Sequence, residues 1–303
     1  MLFTCPSYVV FTKEIKPELV CFGMEARDAA ENEFYVRLKP VAEGQIVNET
    51  GARLLIKACM QRVFGKTRRM EVCVLVSCAL KADERRDIER LFVEAGYGAA
   101  FVLDSAEGLI PHFVKDDIKM GIIIGDAFTE VALSNGGKIG RASAVTLGGG
   151  TLTSAFKETL KDKYSLIVTD IEAEKLKKNI ASLAVGDTTR GYISGMDKIT
   201  GAIREISVSA KDFFPQCDAV YSKIAAFLIG FWTTLDKHDA EKTDKNGIIV
   251  CGRATKIAGF SEYFERMTGI RFILDEKPQT THLSGAYELV NNSEWLMGHL
   301  EKK

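Results

Sequence analysis

Apolar runs of two kinds follow one another along this chain. Some are short and continuous at strand length, and others recur every three or four residues, which reads as strands and helices in succession. The clearest succession lies in KMGIIIGDAFTEVALSNGGKIGRASAVTLGGGTLTSAF, Lys119 to Phe156. Gly121 to Ile124 is long enough for a buried strand and too short for a core helix. Gly125-Asp126 turns the chain, and Thr129 to Leu133 is rich in strand formers. Asn135-Gly136-Gly137 supplies the positive φ angles of a tight hairpin turn. A third strand, about Ala142 to Leu147, ends at Gly148-Gly149-Gly150. Thr151 then caps a helix whose inner face is Leu152, Ala155, Phe156 and Leu160.

Elsewhere the same reading predicts strands at Tyr8 to Phe11 and Leu19 to Phe22, then a short helix at Glu25 to Ala30. A helix from Thr50 to Phe64 carries Leu55, Cys59 and Val63, with Ile56, Met60 and Phe64, as one broad apolar face. Glu71 to Ser77 is a near-continuous apolar strand of the doubly covered, parallel kind. A helix at about Ala82 to Ala95 and a strand at Phe101 to Leu103 complete a strand–helix–strand unit. Thr169-x-x-Glu172 is a capping box that opens a helix with Leu176, Ile180 and Leu183 inward. Tyr192 to Ile206 is a hairpin, and about Ala210 to Leu235 is a long helix with Phe213-Phe214-Pro215 near its start. Asp239 to Asn246 reads as a charged loop. Gly247 to Cys251 is a buried strand, followed by a helix through Phe260 to Met267 and a strand from Arg271 to Leu274.

Composition narrows the class of protein. A chain of 303 residues with 46% hydrophobic content can bury a sizeable core. A net charge of −1 gives no global field favouring nucleic acid. The seven cysteines include no C-x-x-C pair, which argues against a zinc site or redox motif and makes buried thiols in a reducing cytoplasm the default. His112, His238, His282 and His299 form no spaced cluster. No signal peptide is evident at the start, and the most apolar helix candidate, Ile224 to Trp232, is too short to span a bilayer.

The order of elements from Lys119 onward resembles the second phosphate hairpin of the actin, sugar-kinase and heat-shock chaperone superfamily, and within it the MreB family. Thr129-Glu130-Val131-Ala132 matches that family's T-E-V-A. The hairpin segment SGMDKITGAIR, Ser194 to Arg204, resembles V-S-G-x-D-x-x-T-G-x-x-R and is the most specific single match. Glu84-Arg85-Arg86, Lys39-Pro40 and Glu174-x-x-Lys177 add to it. The resemblance covers almost the whole chain from residue 5. It implies an actin-like two-lobed α/β fold with ribonuclease-H-like sheets flanked by helices. The first lobe is expected at 1–117, completed by 283–303, and the second at 118–282. Small inserted subdomains are expected at 1–44 and 160–208.

The resemblance also implies a nucleotide site, since glycine turns can bring backbone N–H groups onto a phosphate. Its residues here are Gly125, Asp126, Thr129, Gly149, Glu174, Lys177 and Gly252. Several family features do not match. The aspartate that positions metal-bound water falls on Ile123, and Gly150 and Thr153 stand where acids belong. The family's general-base glutamate falls near Asp104-Ser105-Ala106, and Gly252 alone remains of the adenosine turn. The leading D-x-G-T loop is not found, so either the chain evolved without it or its start lies upstream of Met1. The expected cofactor is therefore none, or weakly held ATP or ADP. No catalytic residue or metal ligand is assigned, and ATP hydrolysis is not expected.

The implied function is a bacterial cytoskeletal or scaffold protein linked to cell shape, with a degenerate nucleotide site. The alternative is an ATP-binding actin- or chaperone-superfamily ATPase. Implied partners are further copies or a homologous actin-like protein, with no nucleic acid. The expected location is cytoplasmic, with peripheral contact to an anionic membrane face. For that contact the sequence offers Val63, Phe64, Lys66, Arg68 and Arg69, an apolar pair beside three cations. The plainer reading of the same residues is the core end of a helix whose C-terminal dipole the cations complement.

Overall fold

A computed structural model describes residues 3–30, 32–42, 44–65, 70–112, 119–135, 137–274 and 277–300. The chain divides into two units, Met1–Asp104 and Ser105–Lys303.

In the first unit, β1 (Val9–Thr12) is the middle strand of an antiparallel sheet between β2 (Leu19–Phe22) and β3 (Tyr35–Leu38). A short helix, α1 (Met24–Asp28), follows β2. Val9, Val10 and Phe11 are all buried, as expected of a continuous apolar run flanked on both edges. Two-residue strands β4 (Val41–Ala42) and β5 (Gln45–Ile46) pair and lead into α2 (Glu49–Phe64). Asn48 caps α2 by accepting the Gly51 N–H at 2.7 Å, and Gly65 closes it at φ 72°, donating to Gln61 O. The buried residues of α2 are Gly51, Ala52, Ala58 and Met60, so the helix approaches its neighbours closely through small side chains. Phe64, one turn beyond Met60 at the end of the helix, is not buried: it is 46% exposed.

The strand–helix–strand unit forms as expected, with β6 (Glu71–Val76), α3 (Ala82–Glu94) and β7 (Ala99–Asp104). The two strands pair in parallel from Glu71 opposite Ala99 to Val76 opposite Asp104. β6 is less covered than its composition suggests. Only Val76 within it is fully buried, and the small core there is Val76, Leu80 and Val102 with Val74 and Ile88 against it. Arg85 ties α3 to the end of β7 by an ion pair with Asp104.

The second unit begins with a 3-10 turn, Ser105–His112, and carries a five-stranded sheet. Its strands are β8 (Lys119–Ile124), β9 (Thr129–Asn135) and β10 (Lys138–Val145), with β14 (Ile248–Cys251) and β15 (Phe272–Leu274) from later in the chain. The order is β10-β9-β8-β14-β15, with β8, β9 and β10 antiparallel and β14 parallel to both β8 and β15. β9 is buried along both faces from Thr129 to Ser134, including the carboxyl-bearing Glu130. Between these strands come α4 (Gly149–Tyr164), β11 (Leu166–Ile167), α5 (Asp170–Ile180), β12 (Arg190–Asp197), β13 (Ile203–Ser209), α6 (Ala210–Trp232) and α7 (Lys237–Asn246). β11, β12 and β13 form a separate three-stranded antiparallel sheet. The helices α8 (Phe260–Thr268), α9 (Thr281–Val290) and α10 (Ser293–Leu300) complete the unit.

One core holds the sheet to α4, α6 and α8. Phe156 of α4 meets Phe213 of α6 with ring centroids 4.4 Å apart, and Phe260, Phe264, Tyr221 and Phe272 form an aromatic group on the other side. Each such side chain contributes roughly 1.5–3 kcal/mol by leaving water. The 3-10 turn meets α9 at bare backbone. A Cβ at Gly108 would lie 2.0 Å from the His282 carbonyl oxygen, and one at Gly285 would lie 2.0 Å from that of Gly108.

Two local expectations are corrected. Asp239 to Asn246 is not a loop: it lies in α7, which Asp236 starts by accepting the Asp239 N–H at 2.8 Å, with Thr243 buried beneath. The helix after the glycine run is capped by Gly148 rather than Thr151. Thr151 stands inside its first turn, and its hydroxyl accepts the Gly148 N–H at 3.3 Å.

Candidate functional site

The site is built where the turn after β8 meets the start of α4. Gly125 donates its N–H to Phe128 O at 2.9 Å, which closes the turn into β9. Thr129 is wholly buried at its base, and its hydroxyl donates to Leu147 O at 2.9 Å, joining the ends of β9 and β10. The two glycine turns are then laced together: Gly149 N–H donates to Gly125 O at 2.9 Å, and Gly150 N–H donates to Asp126 O at 2.8 Å. These are two of the four N–H groups that a helix start leaves without a partner inside the helix. Gly148 is required there, because a Cβ on it would lie 2.5 Å from the Asp126 carbonyl oxygen. The Asp126 carboxylate itself lies beside this first turn, with Oδ1 3.5 Å from the Cβ position at Gly150 and 3.6 Å from that at Gly149. An anion there is favoured by the positive end of the helix dipole.

Lys177 reaches the same turn from α5. The N-cap at Thr169 places it, since Thr169 Oγ1 accepts the Glu172 N–H at 3.2 Å and starts the helix. Burial of Ala173, Leu176 and Ile180 then leaves Lys177 at the edge of the buried face. Its ammonium donates to Gly149 O at 2.8 Å and to Thr153 Oγ1 at 2.7 Å, while Thr153 in turn donates to Gly149 O at 3.0 Å. Glu174 does not share this arrangement. It is exposed and pairs with Lys178 at 2.7 Å, one turn on.

Gly252 joins from the other side of β8. It follows β14, adopts φ +102°, and a Cβ on it would lie 2.1 Å from the carbonyl oxygen of Ile124, the residue before Gly125. Its N–H donates to Pro278 O at 2.6 Å, and Thr255 Oγ1 donates back to its carbonyl at 2.8 Å. Tyr221 of α6 anchors the following turn by donating to Ala254 O at 2.6 Å, and burial pushes the phenol's pKa up. A parallel bridge between Ser182 and Ala258 ties the end of α5 to the same segment. The structure thus brings together Gly125, Asp126, Thr129, Gly149, Lys177 and Gly252, while Glu174 pairs with Lys178 on α5.

Ile123 lies one residue before Ile124 and faces the opposite side of β8. It is 5% exposed and packs with Leu109, Ile249 and Cys251. Its register partner on β9 is Glu130, the buried carboxyl of that strand. Asp104 and Ser105, near which the resemblance puts a general base, fall at the last residue of β7 and the first of the 3-10 turn. Thr153 as the partner of Lys177 was not recognised in the sequence. The only local signal was its spacing of four from Gly149, which fits a hydroxyl bonding back to the preceding turn.

Of the residues singled out for membrane contact, Val63 and Phe64 end α2, while Lys66, Arg68 and Arg69 lie outside the described residues. Among the described residues, no helix is long and apolar enough to cross a membrane.

The layout of strands, glycine turns and helices is that of the actin-like fold. Over 98% of this chain it superposes, with a TM-score of 0.87 and 19% identity, on 91% of the crystal structure of MreB5 of Spiroplasma citri bound to AMPPNP. The ADP-bound form of that protein is equally similar, and a MamK double helical filament matches 94% of the chain with a TM-score of 0.74 and 14% identity. The chain belongs to the MreB/Mbl family, whose model matches residues 1–297. Among curated relatives, the cell shape-determining protein MreB of Pasteurella multocida is 23% identical over 300 residues, covering 93% of this chain and 85% of the relative. That of Escherichia coli K12 is 22% identical over 253 residues, covering 80% and 72%.

Proposed function

We propose that this protein is a bacterial actin-like scaffold linked to cell shape, assembling with copies of itself or with a homologous actin-like protein, and that its nucleotide site is degenerate. Family membership and the names of its relatives support the first part, and the filament formed by MamK supports self-association. The observation that carries the second part is the closure of the α4 start. Gly149 and Gly150 spend their N–H groups on Gly125 and Asp126, and the Asp126 carboxylate stands beside that helix end.

ATP or ADP is then held weakly, since a phosphate would compete with these internal bonds and with a like-charged carboxylate. Hydrolysis is not supported either, because Ile123 is an apolar residue in an apolar cluster where the resemblance asks for a carboxylate. MreB5 of Spiroplasma citri, solved with AMPPNP and with ADP, favours retained binding over complete loss. Gly125, Asp126, Thr129, Gly149, Lys177 and Gly252 are the proposed contacts, with Glu174 at the margin. Residues 160–208, which hold the three-stranded sheet up to its last residue, Ser209, are the proposed small subdomain of the second lobe.

Contact with an anionic membrane face is the proposed second property. It rests on Phe64, an aromatic ring left half exposed at the end of α2. The test of the main reading is electron microscopy of the purified protein with no nucleotide, with ADP and with ATP. Filaments of similar abundance in all three support a scaffold with a degenerate site. Filaments only with ATP refute it.

A further inference from the structure

Two thiols far apart in sequence meet in the first unit. Cys5, in the segment leading into β1, lies with its Sγ 3.9 Å from the Sγ of Cys59, at the middle of α2. Both residues are half-buried. That keeps them within reach of a small solute while their surroundings hold them in place. Cys5 is positioned from behind by Gly23, whose φ of +70° turns bare backbone toward it: a Cβ at Gly23 would lie 3.1 Å from Cys5 Cβ. Gly23 is fixed in turn by donating its N–H to Tyr8 O at 2.9 Å. A disulfide needs its sulfurs about 2.05 Å apart, so closure from thiol contact brings the two sulfurs together by about 2 Å. Cys217 and Cys251, by contrast, are fully buried.

We propose that Cys5 and Cys59 are a redox-sensitive pair, which a low-molecular-weight disulfide such as glutathione disulfide converts to an intramolecular disulfide that straps the β1-leading segment to α2. In the first step the Cys5 thiolate attacks one sulfur of glutathione disulfide. The S–S bond of the oxidant breaks, one glutathione leaves as thiolate and takes up a proton, and Cys5 carries the other. The Cys59 thiolate then attacks the Cys5 sulfur, the Cys5–Cys59 bond forms, and the second glutathione leaves and is protonated. Two cysteine thiols are oxidised and one glutathione disulfide is reduced to two glutathiones. Burial, with Cys5 as neighbour, pushes the Cys59 thiol up. Cys5 follows the exposed Phe3 and Thr4, so a solute reaches it first, which makes it the attacking thiol and Cys59 the resolving one.

The test uses the full chain, folded, treated with glutathione disulfide, quenched with an alkylating agent and digested without reductant for mass spectrometry. The expected result is a peptide joining Cys5 to Cys59 and the loss of two of the seven titratable thiols. Cys59→Ser stops the sequence at a glutathione adduct on Cys5, and Cys5→Ser removes the cross-link. Amide exchange at Val9 and Val10 slows in the cross-linked wild type. A glutathione adduct on wild-type Cys5 that never resolves, a cross-link to another cysteine, or no oxidation at either residue overturns the proposal. None of these outcomes depends on a variant folding, because the wild-type cross-link is read directly.

Discussion

The ammonium of Lys177 lies 2.7 Å from the hydroxyl oxygen of Thr153, and through that contact α5 is fastened to the first turn of α4. The Gly149 carbonyl, 2.8 Å from the same nitrogen, makes the joint two-pronged. Thr153→Val keeps the shape of the side chain and removes one acceptor. Because Lys177 is only half-buried, water screens part of the loss, and the expected cost is about 1 kcal/mol. Urea denaturation of the variant checks it. Lys177→Met, which removes both bonds, should cost more than Thr153→Val.

Gly149 and Gly252 respond oppositely to the same change. A methyl at Gly149 meets Lys177 Nζ and Asp126 Oδ1 at ordinary contact distances of 3.5 and 3.6 Å, so Gly149→Ala should fold with a stability change within about 0.5 kcal/mol. A methyl at Gly252 meets Ile124 O at 2.1 Å on a backbone at φ +102°, so Gly252→Ala should cost at least about 2–3 kcal/mol. Thermal melts of the two variants side by side measure the contrast. Equal losses would mean that the β14 turn does not approach β8 as described.

Phe64→Ala separates the two readings of the α2 end. A core phenylalanine would cost about 3–5 kcal/mol on truncation. With its ring 46% exposed, Phe64 should cost less than about 1.5 kcal/mol, and its loss should weaken co-sedimentation with anionic liposomes. A melting temperature that collapses while sedimentation is unchanged would remove the membrane role.

Asp197 sets an acid-side dependence. The Thr200 and Ile199 backbone N–H groups hold its carboxyl at about 2, below its ordinary 3.8, with the Thr200 hydroxyl and Arg204 adding to the effect. A depressed carboxyl contributes stability above its unfolded value and loses it as pH falls through the folded one. Stability should therefore decline between about pH 4 and pH 2. Asp197→Asn should flatten that part of the curve, followed by denaturant midpoints against pH. An unchanged slope would show that the β12–β13 turn does not carry this charge.

Much of this fold was legible because its signals are local. The Thr169 cap, the β12–β13 hairpin and the buried run at Ile248 each depend on residues close in sequence, and each formed where the pattern placed it. α7 was misread because its charge hides the Asp236 cap and the single buried Thr243. The cap at Gly148 was missed for a different reason. It exists because carbonyls at Gly125 and Asp126, more than twenty residues earlier, accept from the glycines that follow it. The same holds at the site, where the sequence named Lys177 but not Thr153 as its partner, a choice made only when α4 and α5 come together.

Protection from exchange should follow sheet position. Ile248 and Ile249 lie in β14, with β8 on one side and β15 on the other, whereas β6 pairs with β7 alone among the described residues and is mostly half-buried. Amides at Val74 and Val76 should exchange faster than those at Ile248 and Ile249 in native-state hydrogen exchange. Equal protection would contradict the contrast in cover.

The most direct test of the degenerate site is phosphate release by the purified protein with ATP and Mg²⁺, at concentrations where it assembles. Release should stay at the level of a protein-free blank, because Ile123 offers no carboxylate to hold a metal-bound water and the α4 start is closed by Gly125 and Asp126. Sustained release that Lys177→Ala abolishes would contradict the account.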